Sequence, residues 1–344
     1  MTFHINPKTG ETGTCKATKA CPFGGPDEHF STREEARAAY EKTQAAFTDD
    51  PYAGITTEEL EKLETAMLRD YRAESRELTD DEYDRHYEYI RRIRKGATST
   101  HKQFTKTVKG KAVYVDERLE QHEQIVTNLS EAYKAVPNEG RVLVVGGITG
   151  AGKTTAVKSN SELQADSYAS VNPDDVKIEM VKLGMTPEIP GVLPLETDEL
   201  IKYEAGVVTD KVYEKLSAEK KNLVIDRTLA SANSITKTLD DLRAKGYSDF
   251  TGVFVDVDPD EAYARIRSRH HKGLNHYLKT GEGHGERPVP GSAIAATRTD
   301  DSTYRSKNAK VFVELAEAGA FTSEPKIFDS SAGSKELTLD EFRC

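Results

Sequence analysis

Val142-Leu143-Val144-Val145-Gly146-Gly147-Ile148-Thr149-Gly150-Ala151-Gly152-Lys153-Thr154-Thr155 is the stretch on which the reading of this chain turns. Four consecutive apolar residues, Val142 to Val145, predict a strand buried on both faces. Gly147 to Thr154 then fits G-x-x-x-x-G-K-[ST] in full, and a helix is expected from Thr155 onward. Glycines at these positions let backbone N–H groups wrap a phosphate chain, and the helix N-terminus adds positive potential. The candidate nucleotide-binding residues are therefore Gly147, Gly150, Ala151, Gly152, Lys153, Thr154 and Thr155. Lys153 would reach the β- and γ-phosphates, and the Thr154 hydroxyl would ligate Mg²⁺. A glycine-rich strand-to-helix turn without a ligand is the competing reading; the lysine, the threonine and the flanking elements argue against it.

Further along, short apolar runs alternate with helical stretches: Asn222-Leu223-Val224-Ile225, Gly252-Val253-Phe254-Val255 and Lys326-Ile327-Phe328. Strands separated by helices predict an α/β domain, a P-loop kinase fold with a mainly parallel sheet flanked by helices. A GTPase or motor would need switch elements or a longer core than the chain provides after the loop, whereas that length suits a small-molecule kinase. Such an enzyme also needs a base and an acceptor site. Asp174, in Val171-Asn172-Pro173-Asp174-Asp175-Val176-Lys177, falls where a second strand should end and could take the acceptor proton. Helix capping is the alternative for Asp174 and Asp175. Asp226 closes the Leu223–Ile225 run and resembles a Walker B carboxylate, placed to hold Mg²⁺ through water or to contact the acceptor. A strand-end turn is its alternative.

Transferring phosphoryl groups require arginines. Arg265, Arg267, Arg269, His270 and His271 follow Asp258-Pro259-Asp260 on one predicted helix, and Arg287 lies in the Gly- and His-rich stretch GLNHYLKTGEGHGERPVPG. One or two of these arginines suffice for the chemistry; a solvated basic helix face accounts for the others. His270, His271 and His284 have no zinc-ligand spacing.

The front of the chain has another character. Residues 1–30 read as a loop-rich segment with Cys15 and Cys21. Their spacing is not that of a zinc ribbon, even with His4 and His29 nearby, so free thiols are expected. Residues 31–100 carry 12 Lys/Arg against 17 Asp/Glu, half of the chain's net charge of −10. Ser31-Thr32-Arg33-Glu34 opens a predicted helix to about Phe47, Thr56-Thr57-Glu58-Glu59 a second, and Thr79-Asp80-Asp81-Glu82 a third. Together they predict an acidic all-α bundle. A polar, mostly basic connector follows, with residues 101–113 as the linker and 114–344 as the kinase domain.

Composition excludes several classes. The 344 residues contain no apolar run long enough to cross a membrane, and no basic-then-apolar leader opens the chain. Three cysteines, including Cys344, suit a reduced, cytoplasmic protein. Net acidity argues against nucleic acid as the partner.

From about Glu117 to Ser331 these residues, in this order, resemble the zeta-toxin family of P-loop kinases. The resemblance rests on ERLEQHEQIV, GGITGAGKTT, VNPDDVK and above all TDKVYEKLSAEKKNLVIDRT continuing to TLDDLRAKGY. It implies transfer of the ATP γ-phosphate to the 3′-hydroxyl of the amino sugar of UDP-N-acetylglucosamine, which poisons cell-wall synthesis. It also implies ATP and Mg²⁺ at Lys153 and Thr154, Asp174 as base, and Arg269 (or Arg267) and Arg287 on the transferring phosphate. Asp210, Asp226, Thr228 and Thr238 would line the acceptor pocket. Two departures stand out: aspartates at 210 and 226 replace the family's usual glutamates, and Ala230 replaces an expected pocket arginine. Zeta toxins are neutralised by a small three-helix protein, so the resemblance also implies an antitoxin partner. Residues 31–100 are either an in-cis inhibitor of that kind or an accessory or oligomerisation unit.

Overall fold

The computed structural model describes residues 3–5, 12–14, 30–36, 56–74, 79–331 and 335–342. A six-stranded sheet forms the centre. Its strands in chain order are β5 (Arg141–Gly146), β6 (Ala169–Ser170), β7 (Leu223–Asp226), β8 (Asp249–Asp256), β9 (Lys326–Asp329) and β10 (Lys335–Leu337), arranged β10-β9-β8-β5-β7-β6. Among the described residues four short strands precede these: β1 (Phe3–Ile5), β2 (Thr12–Thr14), β3 (Thr105–Val108) and β4 (Lys111–Tyr114). Five sheet strands are parallel, and β10 adds to the edge antiparallel to β9. The loop-bearing strand β5 is central, between β7 and β8, so the glycine loop leaves the middle of the sheet at its C-terminal edge.

Nine helices matter for the site: α1 (Thr57–Glu74), α2 (Asp80–Gly96), α3 (Asp116–Ala132), α4 (Lys153–Ser159), α5 (Pro173–Lys182), α6 (Asp198–Ala218), α7 (Ala232–Ala244), α8 (Pro259–Thr280) and α9 (Lys307–Glu317). Helices cover both faces of the sheet. Val142 and Val144 belong to the larger apolar cluster with Ile125, Val208, Leu239 and Phe312. Leu143 and Val145 point the other way, into the cluster with Ala156, Leu163, Val253 and Ala262. Successive strand residues thus face opposite layers, both buried, so the run Val142–Val145 is continuously apolar rather than alternating. Each such side chain contributes about 1.5–3 kcal/mol by leaving water.

The helices at the front begin as the sequence predicts. Thr79 and Glu82 form a reciprocal capping box at the start of α2, and Glu59 bonds back to Thr56 ahead of α1. These helices do not stand apart from the α/β layer. Met67 and Tyr83 share one apolar cluster with Leu193, Leu274 and Leu278 of the later chain. Of the helix expected from Ser31, a turn at 33–36 is described, and its continuation to Phe47 lies outside the described residues. Cys15, Cys21, His29 and Cys344 also lie outside them.

Two segments are more ordered than their composition suggests. The stretch expected as a linker, 101–113, contains the β3–β4 hairpin. Lys109 and Gly110 take positive φ of 50° and 77°, the pairing that a two-residue turn of type I′ requires. In the segment read as loop-rich, β1 pairs with β2, and Phe3 bridges to Phe30. Among the described residues no helix is long and apolar enough to cross a membrane.

Candidate active site

Gly147, Gly150 and Gly152 have φ of +138°, +87° and +83°, which an L side chain rarely adopts. Space forbids a side chain as well. A Cβ on Gly147 would sit 2.5 Å from the Val255 carbonyl oxygen, and one on Gly150 2.5 Å from that of Ala262. The loop is therefore pressed against β8 and α8, with Ala151 buried beneath it. Gly152 caps α4 without any side-chain hydrogen bond, which leaves the first-turn N–H groups to a ligand or water. Thr154 and Thr155 are exposed there. The Lys153 ammonium curls back over the loop and donates to the carbonyls of Gly147 (2.9 Å) and Ile148 (3.3 Å), with Asp226 Oδ1 3.6 Å away. Burial pushes the Lys153 amine below its ordinary range, against the pull of Asp226. Burial likewise raises the Asp226 carboxyl, only partly offset by Lys153.

The helix that carries Asp174 is capped by another residue. Asn172 is the cap of α5, its side chain accepting from the Asp174 N–H at 2.9 Å, and Pro173 occupies the first helical position. Asp174 is therefore not consumed by capping, and its carboxylate is free to act elsewhere. Lys177, one turn on, donates to it at 2.9 Å, and Arg287 approaches its other oxygen at 3.5 Å. Burial alone would raise this carboxyl; Arg287, Lys177 and more distantly Arg269 outweigh that and hold it below the ordinary aspartate range. Asp175 goes the opposite way, raised by burial and by the charge of Asp174. Of three neighbouring carboxyls, Asp174 is thus the one held most firmly as an anion, while Asp175 and Asp226 accept protons more readily.

The arginine row of α8 divides among different partners. Arg265 binds Glu261 and Ser330. Arg267 binds Asp84 on α2 and lies 5.0 Å over the Tyr83 ring. Arg269 pairs with Glu286 at 3.3 Å, beside Arg287, and its charge reaches Asp174. His270 is buried, its ring bonded to Tyr83 and Glu196.

A cleft of about 520 Å³ opens beside the loop, lined among others by Lys153, Thr154, Asp175, Asp226, Tyr133 and Tyr168. A second, of about 630 Å³, lies around Arg141, Glu162 and Lys326; it shares Tyr168 with the first and contains none of Lys153, Thr154, Asp174, Asp226, Arg269 and Arg287. The structure thus gathers Lys153, Thr154 and Asp226 at one cleft, with Asp174, Arg269 and Arg287 linked to them by charge. It does not bring Asp210 to that group. Asp210 is exposed on α6, twelve residues beyond Asp198, or about 18 Å along the helix. Thr238 lies within α7 and bonds back to Ser234; Thr228 is exposed just after β7, its carbonyl taking a bond from Asn308. Sequence reasoning missed Lys177 and Asp198, which meet at 2.5 Å. Lys177 was findable from its position three residues after Asp174 on a helix. Nothing local marks Asp198.

The loop residues fit a triphosphate and its metal. The cradle has no room for a Cβ at Gly147 or Gly150, the first-turn amide N–H groups of α4 have no side-chain cap, and a hydroxyl (Thr154) and a carboxylate (Asp226) line the adjoining cleft.

Comparison with known proteins bears on the family and the fold. The family model described as zeta toxin matches residues 126–305. No curated protein matches the chain. Among solved structures, the AvrRxo1-ORF1:AvrRxo1-ORF2 complex with sulphate ions is similar at 14% identity, covering 70% of this chain and 76% of that one, with a TM-score of 0.51. The same complex with ATP gives 14% identity, 70% and 75% coverage, and a TM-score of 0.51. A structure of the PezAT toxin–antitoxin system of Streptococcus pneumoniae aligns at 17% identity over 65% of this chain and 82% of that one, with a TM-score of 0.44.

Proposed function

The chain belongs to the zeta-toxin family, and from that premise we propose that it is an ATP-dependent kinase that phosphorylates a hydroxyl of a small molecule. The first acceptor to test is the 3′-hydroxyl of UDP-N-acetylglucosamine, with blocked cell-wall synthesis as the toxic outcome. The observation that carries the kinase reading is the convergence of Lys153, Asp226, Asp174 and Arg287 at the loop end of a parallel sheet.

In this reading Lys153 exchanges its two loop carbonyls for the β- and γ-phosphate oxygens. The uncapped N–H groups at the start of α4 cradle the phosphate chain. Thr154 would hold Mg²⁺, and Asp226 would either help hold it or meet the acceptor. The chemistry that Mg²⁺ would supply there is neutralisation of charge on the β- and γ-phosphates. Asp174, kept anionic by Lys177 and Arg287, accepts the hydroxyl proton. A carboxylate of lowered pKa suits a loose transition state, in which the proton leaves late. Arg287 and Arg269 stabilise charge on the moving phosphoryl group. Asp226, which lines the cleft, and Thr228, two residues on, would contact the acceptor. Asp210 and Thr238 would join them only if the acceptor extended along α6 and α7.

That spread, together with Ala230 in place of a pocket arginine, favours keeping other hydroxyl acceptors in view: an antibiotic, a nucleoside or a polynucleotide end. ATP and sugar nucleotides are cytoplasmic, so the protein would act there, and a separate antitoxin is its expected partner. The test is to incubate the protein with ATP, Mg²⁺ and UDP-N-acetylglucosamine and look by mass for one added phosphate. Product with the wild type and none with Asp174→Asn supports the reading. No product with this acceptor but product with another removes the sugar nucleotide and leaves the kinase. ATP binding without turnover on any acceptor leaves a nucleotide-binding regulator.

A further inference from the structure

Helix α2 belongs to the acidic front of the chain, yet it touches the later chain where Asp174 is supported. Tyr89 donates its hydroxyl proton to the Pro190 carbonyl at 2.8 Å. His86, fully buried, bonds Glu196 at 2.9 Å, two residues before Asp198. Arg94, its side chain 11% exposed, lies 3.9 Å from Asp198 Oδ2 and donates to the Pro288 carbonyl at 3.4 Å. Asp198 and Pro288 are the two places from which Asp174 is held. Asp198 contacts Lys177 at 2.5 Å, Lys177 bonds Asp174 at 2.9 Å, and Arg287, next to Pro288, approaches Asp174 at 3.5 Å.

From this geometry we propose that Arg94 is a positioning residue of the phosphoryl-transfer site, fixing Asp174 through Asp198–Lys177 on one side and Pro288–Arg287 on the other. The proposal rests on Asp174 being the base of the reaction proposed above.

The physical argument is one of buried charge. Asp198, Lys177 and Arg94 are each nearly removed from water. A buried carboxylate with a single cation draws that cation fully to itself; with two, it can share one. Arg94 supplies the second cation, so Lys177 can bridge Asp198 and Asp174. Without Arg94, Lys177 is drawn toward Asp198, Asp174 loses its nearest positive neighbour, and its proton affinity rises. The remaining groups around Asp174 act alongside this relay: Lys177 and Asp175 on its own helix, Lys153 after the loop, Asp226 at the end of β7, Arg269 on α8, and Arg287. Two buried guanidinium nitrogens of this region, Arg94 Nε and Arg287 Nε, have no hydrogen-bond partner, so neither arginine is fully engaged by the carbonyl and carboxylate contacts named above. The front helices are on this view part of the enzyme's working structure. An in-cis inhibitor made of the same helices predicts the opposite response, because loosening Arg94 would then raise the rate.

The test uses the full chain with Arg94→Ala, Arg94→Lys, Asp198→Asn and the control Lys62→Ala, an exposed pair with Glu58 on α1. The Asp174 carboxyl is followed by ¹³C NMR of aspartate-labelled protein and assigned as the resonance missing in Asp174→Asn. Arg94→Ala should raise its midpoint by about half a unit or more, Arg94→Lys should restore most of that shift, and Asp198→Asn should lower the midpoint. A structural role alone would not give opposite signs at the two ends of one relay. If Arg94→Ala does not fold, Arg94→Lys and Asp198→Asn decide the matter: the first should raise the midpoint slightly and the second lower it, and an unshifted midpoint in both overturns the proposal. In turnover with ATP and UDP-N-acetylglucosamine, Arg94→Ala should lower kcat roughly tenfold while KM for ATP stays within about threefold. An unshifted Asp174 midpoint in folded Arg94→Ala overturns the proposal, and so does a raised kcat. Failure of the function reading looks different: Asp174→Asn would then keep its turnover, whatever Arg94 does.

Discussion

Two groups of charged side chains lie in this molecule, and they are built differently. At the loop end of the sheet, Lys153, Asp174, Asp226 and Arg287 stand 2.9 to 3.6 Å from their partners, Lys153 and Asp226 lining a cleft and Asp174 about half exposed. Between the front helices and the later chain, Glu64, His86, Glu196 and His270 are buried and bonded to one another in a row at 2.9 to 3.0 Å. In the first group burial acts against the charges, lowering Lys153 and raising Asp226. In the second, burial would discharge His86, but Glu196 and Glu64 overcome it and raise the ring to about 10, while His86 and His270 bring Glu196 down to about 2 against its own burial. The loop group is arranged to exchange partners; the row of histidines and glutamates already has the partners it needs. The first is where chemistry is expected, the second where the chain is fastened.

The largest effect that would sharpen this contrast is on the loop side. Asp174→Asn should cut turnover by about 10²- to 10⁴-fold with ATP affinity nearly unchanged, measured by steady-state kinetics and nucleotide titration. On the fastening side, His86→Leu leaves two buried carboxylates short of a cation and should cost about 3–5 kcal/mol, read from denaturant unfolding. An unchanged midpoint would mean that the row is not a fastening at all. Gly150→Ala forces a Cβ to within 2.5 Å of the Ala262 carbonyl at a φ of +87°. It should cost about 1–3 kcal/mol and weaken ATP binding, visible as a smaller ligand-induced rise in Tm.

A weaker effect is the pH dependence of stability. His86, raised from 6.5 to about 10, contributes fully below pH 6.5, and that contribution fades as pH rises through about 10. Glu196, lowered from 4.5 to about 2, contributes fully above pH 4.5 and fades as pH falls through about 2. The difference in Tm between wild type and His86→Leu should therefore narrow above pH 6.5. A difference constant from pH 6 to 10 would contradict the assignment of charge to this ring. The smallest expected effect is that of Lys62→Ala, whose exposed pair with Glu58 should leave both stability and turnover unchanged.

Legibility in the sequence follows the same division. The loop group was readable because its parts are local. Gly147 to Thr154 is contiguous, Asp174 follows a short apolar stretch, and Asp226 ends one. The fastening row was not, because His86 and Glu196 are 110 residues apart and neither belongs to a recurring spacing. The front helices illustrate both cases. Thr79 and Glu82 announce the start of α2, yet nothing in that helix says that Tyr83 completes a cluster with Leu274 and Leu278. The hairpin at 105–114 escaped because its residues are polar and basic, and the turn at Lys109-Gly110 is a backbone property. Asp210 and Thr238 were reached through family resemblance. Their places on α6 and α7 depend on helix direction and packing, which no motif encodes.

By itself the sequence determined the parallel α/β layer, the loop that can hold a triphosphate, and the carboxylates at the ends of strands. Hydrophobic period, glycine conformation and helix capping act over a few residues, so they are written where they act. Only the tertiary structure decided that Arg287 is a neighbour of Asp174, that Asp198 meets Lys177, and that Arg94 stands behind both. Those outcomes depend on which buried charges meet, and charges meet through the packing of elements distant in the chain.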